Sequence, residues 1–138
     1  MIVEPDIYPI NKELLLITDP YIYEWRIHGE RFRIVVPPYF MFNASCIPPV
    51  LTWCTGIRWQ DHLGATILYS FLHAQKGEMY GAHQIFVDES RTWKSLYGRW
   101  YRTEANKLFC RMLREGKVPK KKRHLIYKGL HIFGGSKW

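Results

Sequence analysis

Between Tyr21 and Ile27 the chain alternates. Tyr21, Tyr23, Trp25 and Ile27 fall on one side of an extended strand, and Ile22, Glu24, Arg26 and His28 on the other. Successive side chains of a strand point to opposite faces, so this pattern predicts a half-buried strand with an aromatic face. Arg31–Val36 alternates again, with Phe32, Ile34 and Val36 together on one face. Gly29-Glu30 between the runs predicts a turn, and the two runs a β-hairpin. Pro37-Pro38 ends it, because proline has no N–H for a ladder. Upstream, Glu13–Ile17 reads as a short buried run closed by the turn pair Asp19-Pro20.

After residue 47 the period lengthens. Pro48-Pro49 can open a short helix through Cys54, since proline suits a first turn. Asp61 is placed to cap a helix over about 62–75, whose stripe is Leu63, Ile67, Leu68, Phe71 and Leu72. Residues 76–101, broken by Gly77, Gly81 and Gly98, read as a long irregular loop with one short strand at Gln84–Val87. Ala105, Leu108, Phe109, Met112 and Leu113 then give the clearest amphipathic helix, with Gly116 placed to stop it. Pro119 starts a last helix striped by Ile126, Leu130 and Phe133 and ended by Gly134-Gly135. Strands first and helices after predict an α+β fold: an N-terminal antiparallel β-sheet followed by three to four packed helices. The length of 138 residues makes it a single domain, 1–138, β-rich over 1–45 and helical over 48–138.

Composition adds two features. Aromatic residues make up 16% of the chain, enough to close a core or to sheathe a contact surface. The net charge of +8 is unevenly placed. Residues 1–90 hold 6 Lys+Arg against 10 Asp+Glu, a net of −4, and residues 91–138 hold 14 against 2, a net of +12. The chain is therefore electrostatically two-ended. No apolar run approaches the roughly 18 residues of a membrane-spanning helix. The opening MIVEPDIYPI has acids and prolines where a signal peptide needs a basic and then an apolar stretch. Three cysteines without a CxxC pair predict reduced thiols rather than a disulfide framework.

Candidate chemistry is sparse. Cys46, Cys54 and His62 are eight residues apart and lack the tight pairs by which a chain grips zinc, so neither a metal nor a cofactor is expected. The basic run Lys117, Lys120, Lys121, Lys122, Arg123 and His124 surrounds a helix start. Positive charge there opposes the helix dipole, by about a few tenths of a kcal/mol per residue. That cost favours a contact role. An acidic protein partner is the first reading and a solvated face the second. The third is nucleic acid, with Trp93, Tyr97, Trp100 and Tyr101 for stacking.

Three segments in order resemble a phage- and prophage-enriched family, domain of unknown function 1353. Phe40-Met41-Phe42-Asn43-Ala44-Ser45-Cys46-Ile47-Pro48 is similar to its Phe followed by Thr-Asp-Gly-Ala-Ser-Ile-Pro. Tyr69-Ser70-Phe71-Leu72-His73 is similar to its helical His-Asp-x-Leu-Tyr, and Arg102-Thr103-Glu104-Ala105-Asn106 to its Arg-x-x-Ala-Asp. Ile132-Phe133-Gly134 is similar to its closing Phe-Gly. The resemblance implies an N-terminal sheet followed by helices. It also marks Asn43, Ser45, Cys46, Tyr69, Ser70, His73, Arg102 and Asn106 as the motif positions. The family's aspartates stand here as Asn43 and Asn106, and its His-Asp pair as Tyr69-Ser70. These replacements keep hydrogen bonds and lose the groups that titrate near neutral pH.

The expectation is therefore a non-enzymatic structural component of a bacteriophage virion, in a tail, neck or capsid-associated layer. It would be made in the host cytoplasm and work through contacts with other virion proteins and with copies of itself. Trp93, Arg99, Trp100, Lys120, Lys121, Lys122, Arg123 and Trp138 are the expected contact residues. Two alternatives stand beside it. One is a hydrolase of host envelope or nucleic acid using His62, His73 or Cys46. The other is a nucleic-acid-binding accessory protein using the basic tail.

Overall fold

A computed structural model describes residues 5–11, 14–43 and 47–133, the last without its side chain. Strands β1 (Ile7–Pro9), β2 (Leu15–Ile17), β3 (Tyr21–Ile27), β4 (Glu30–Val36) and β5 (Met41–Phe42) come first. Helix α1 (Pro49–Thr55) and a 3-10 turn (Trp59–His62) lead into helix α2 (Leu63–Ala74). Strands β6 (His83–Val87) and β7 (Thr92–Ser95) precede helices α3 (Arg102–Glu115) and α4 (Lys120–Phe133). The architecture is α+β, with two antiparallel sheets.

The expected hairpin is β3–β4, paired without a break from Tyr21↔Val36 to Ile27↔Glu30. Its turn is one residue earlier than expected. His28 (φ 50°) and Gly29 (φ 82°) are both left-handed, the geometry of the two-residue turn whose twist matches that of the strands. Tyr21, Tyr23 and Trp25 are buried as the alternation requires, while Ile27 at the strand end is exposed.

The irregular loop expected over about 76–101 is a correction. It contains β6 and β7, which extend the hairpin into a sheet of order β3-β4-β6-β7. The strand at Gln84–Val87 was legible, whereas β7 was not. Thr92-Trp93-Lys94-Ser95 has one large apolar residue, and cross-strand contacts hold it in place. Trp93 lies edge-on to Phe86 (5.3 Å), and the Arg33 guanidinium sits 4.2 Å from the Trp93 ring centre. A smaller sheet, β1-β2-β5, lies beside the first in sequence.

Helix α2 is the centre of the molecule. The stripe expected from the sequence is buried apart from the half-buried Leu63, and so are Ala65, Thr66, Tyr69 and Ser70 between its members. Burial all round is what a central helix shows. Its polar side chains tolerate it because each has a partner: the Thr66 hydroxyl donates to the His62 carbonyl (3.0 Å) and the Ser70 hydroxyl to the Asn43 carbonyl (3.1 Å). Asp61 does not cap this helix, since it lies in the 3-10 turn and His62 holds the cap position.

Helix α3 shows the expected stripe of Ala105, Leu108, Phe109, Met112 and Leu113, all buried. Gly116 follows it with φ −78°, so the left-handed residue at this end is Lys117 (φ 65°). A Cβ at 116 would come within 3.1 Å of the His62 ring, which would have to give by a few tenths of an ångström. Helix α4 buries Ile126 and Leu130 and meets α1 where Gly129 lies against Leu51, whose side chain a Cβ would overlap. Gly134-Gly135 lie outside the described residues.

Candidate functional site

The family-motif positions converge. Tyr69 on α2 donates its hydroxyl to the Asn106 Oδ1 on α3, and the Asn106 Nδ2 lies 3.0 Å from the His131 Nδ1 on α4. With Oδ1 accepting from tyrosine, Nδ2 is the donor to histidine, and the imidazole proton sits on Nε2. Arg102 donates to the His131 main-chain carbonyl (3.3 Å), placing a cation at the C-terminal end of α4, where the helix dipole favours it. The His73 ring meets the Tyr69 ring edge-on at 4.5 Å. Burial, reinforced by the nearby Arg102, pushes the His73 imidazole down from 6.5 to about 4.

The centre of this cluster is sealed, while Asn43 and His131 at its rim are exposed and His73 and Arg102 half-buried. Asn106 is 0% exposed and Tyr69 1%. Ser70 is tied to the Asn43 carbonyl at the end of β5, while Ser45 and Cys46 lie outside the described residues. Thus Asn43, Tyr69, Ser70, His73, Arg102 and Asn106 form one neighbourhood linking α2, α3, α4 and β5. His131 joins it from outside the motifs, and nothing in its local sequence distinguishes it from the chain's other histidines.

A second locus is open. Between the inner face of the β3–β4–β6 sheet and helices α3 and α4 runs a cavity of about 720 Å³. Trp25, Phe32 and His83 from the sheet form its floor, with Trp100 beside them. Trp25 lies nearly parallel to His83 (5.8 Å, 9°) and to Phe32 (6.0 Å, 21°). Trp100 stands edge-on to His83 (5.1 Å) and gives its indole N–H to the His83 Nδ1 (3.2 Å). The walls are cationic: Lys107, Arg111 and Arg114 from α3, and Lys120 and Arg123 from α4, against the single acid Glu104. That carboxylate is already engaged by the Tyr101 N–H (3.0 Å). Among the described residues the one ion pair joins Arg31 to Glu24 (3.2 Å), so none of the wall cations makes a direct ion pair among them.

Two donors in this groove are buried without a hydrogen-bond partner among the described residues, the Nε of Arg111 and the Nε2 of His83. Because His83 accepts from Trp100 at Nδ1, its Nε2 carries the proton. Leaving such a group unpaired costs about 1–3 kcal/mol. Cys110 also lines the groove, and burial pushes its thiol up to about 11, which keeps it unreactive.

The expected contact residues divide. Trp100, Lys120 and Arg123 line the groove. Lys121 and Lys122 are exposed on the same helix but away from it, and Arg99 is exposed with its Nε bonded to the Lys76 carbonyl (3.3 Å). Trp93 is half-buried under Arg33 on another part of the sheet, and Trp138 lies outside the described residues. Tyr97 (91% exposed) is a surface ring as expected, and Trp53 on α1 (89%) is another that went unnoticed. Lys107, Arg111 and Arg114 were also missed. Their spacing, i, i+4 and i+7 opposite the apolar stripe of α3, was the signal that could have found them.

Among the described residues no group of three His, Cys, Asp or Glu is gathered to hold a metal ion, and no helix is long and apolar enough to cross a membrane. The fold and the cluster define a class: an α+β protein with two antiparallel sheets whose helices meet at a hydrogen-bonded polar node. Residues 16–130 match the model of the family described as protein of unknown function (DUF1353), and the chain belongs to that family. No curated protein and no solved structure matches it.

Proposed function

We propose that this protein is a non-enzymatic structural component of a bacteriophage virion, a tail, neck or capsid-associated protein that works through protein–protein contacts. The phage setting rests on the family, whose resemblance carries that association. The contact role rests on one observation: the cations of α3 and α4 gather around an open groove and have no ion-pair partner among the described residues. Like charges held together without partners repel each other and disfavour the compact state, and an acidic partner relieves this. The non-enzymatic role is supported by the family-motif cluster. Its side chains bond to each other, and its central residues, Tyr69 and Asn106, are closed to solvent. Partners are other virion proteins, and copies of the chain where acidic and basic halves meet head to tail.

The test is mass spectrometry of particles purified from the phage or prophage that encodes the chain. The protein is expected in stoichiometric amount relative to a tail or neck protein, after washing at moderate salt. Its absence from intact particles overturns the reading.

A further inference from the structure

We infer that the groove between α3, α4 and the β3–β4–β6 sheet is a docking site for an extended acidic polypeptide segment of a different protein, one with an apolar side chain among its acids. The inference rests on the reading of the chain as a contact protein and names the site and the partner's chemistry.

Four observations carry it. The wall offers five cations against one acid, and that acid is already hydrogen-bonded. The two buried polar atoms without partners, on Arg111 and His83, are both donors, so the occupant must bring acceptors. An ionised carboxylate accepts and does not donate, and it binds guanidinium in a paired geometry.

The ring geometry decides against nucleic acid. Base recognition on a stacking platform needs free aromatic faces. Here Trp25 lies against Tyr23, Phe32 and His83, with Trp100 edge-on to it (6.1 Å, 90°). The faces of Trp25 are taken up by neighbouring rings. Ring edges carry the positive side of the quadrupole, which suits carboxylate oxygens, and Leu108 and Ile27 complete an apolar seat.

The fourth observation is the sheet edge. β3 ends the order β3-β4-β6-β7, and its Arg26 carbonyl turns away from β4 to accept from Arg111 (3.4 Å). An extended segment laid along this rim can pair with outward main-chain groups of β3 beyond Arg26, whose carbonyl Arg111 already holds, as in strand addition.

The occupant is not a second copy, because this chain offers no matching segment. Its longest acidic run is Asp88-Glu89, followed two residues later by Arg91.

The experiment uses the full chain. A short fluorescent peptide of Glu and Asp with one central Phe is titrated at physiological salt, beside a single-stranded thymidine oligonucleotide of equal charge. Two variants change the net charge equally. Lys107→Glu with Arg114→Glu alters the groove wall, and Lys121→Glu with Lys122→Glu alters the same basic surface away from it. All four positions are exposed, and unchanged circular dichroism checks that both variants fold.

The acidic peptide is expected to bind, the groove variant to weaken it about tenfold or more, and the off-groove variant to weaken it less than about threefold. Equal loss in both variants reduces the effect to net charge and overturns the proposal. So does tighter binding of the oligonucleotide, which makes the groove a nucleic-acid site. Absence of peptide binding overturns it, as does self-association of the free protein that the groove variant abolishes. The virion reading fails separately, by absence of the chain from particles, whatever the peptide does.

Discussion

The two faces of α3 have opposite fates. One carries Ala105, Asn106, Phe109, Met112 and Leu113 into the interior, where Asn106 joins Tyr69 and His131. The other carries Lys107, Arg111 and Arg114 to the groove. On the inner face polarity is neutral and satisfied. On the outer face it is charged, and the Arg111 Nε remains unpaired among the described residues. A buried polar group must find its partner within the fold, because an interior that excludes water charges for every missing bond. A surface cation meets no such demand and is free to serve a partner. In this chain the Tyr69–Asn106–His131 node meets the first condition at its buried centre, and the basic helices the second.

Three measurements can break this contrast. The largest effect belongs to the inner face. Asn106→Leu removes a donor from the exposed His131 and the acceptor from the Tyr69 hydroxyl, which is left buried without it, at a cost of about 2–3 kcal/mol. Thermal or urea unfolding reads it, and a change below about 1 kcal/mol removes the node's structural role.

Next is the pH dependence of the same node. The folded-state pKa of His73 lies below its unfolded value, at about 4 against 6.5, chiefly through burial. The unfolded chain therefore takes up the proton first. The stability contribution is complete above pH 6.5 and is lost as pH falls toward 4. Discounted for the ring's partial exposure, the loss is on the order of 2 kcal/mol. His62 and His83, also depressed by burial, act in the same direction. Urea midpoints between pH 7 and pH 4 measure the slope, and a His73→Gln variant with an equally steep slope excludes His73 as its source.

The smallest effect belongs to the outer face. Lys107→Glu with Arg114→Glu is expected to change folding stability by less than about 0.5 kcal/mol, because neither side chain has an ion-pair partner among the described residues to lose. A loss comparable to that of Asn106→Leu erases the distinction between the faces and makes the groove cations structural.

Much of this was legible in the chain. The α+β order, the β3–β4 hairpin and the stripe of α3 follow from local periodicity, since a strand or helix with one buried face repeats that face at its own period. The motif residues Asn43, Tyr69, Ser70 and Asn106 were recognisable, and so was the replacement of their acids. Other features were hidden for identifiable reasons. β7 is four residues with one large apolar side chain, held by Phe86 on the adjacent β6 and by Arg33 on β4, one strand further. Thr66, Tyr69 and Ser70 fall outside the apolar stripe of α2 and are buried nonetheless, Thr66 with a partner one turn away and Tyr69 and Ser70 with partners on distant segments.

By itself the sequence determined the elements, their order and the two-ended charge, because these depend on each residue's own hydropathy and on its near neighbours. Tertiary structure alone decided which polar groups are sealed and which are presented. His131 reaches Asn106 from 25 residues away in the chain, and Trp100 reaches His83 from 17. The groove is made of two helices and a sheet whose separate patterns record burial or exposure but not who stands opposite. Contacts between distant segments are set by packing the whole chain at once, and that information is not written at any one position.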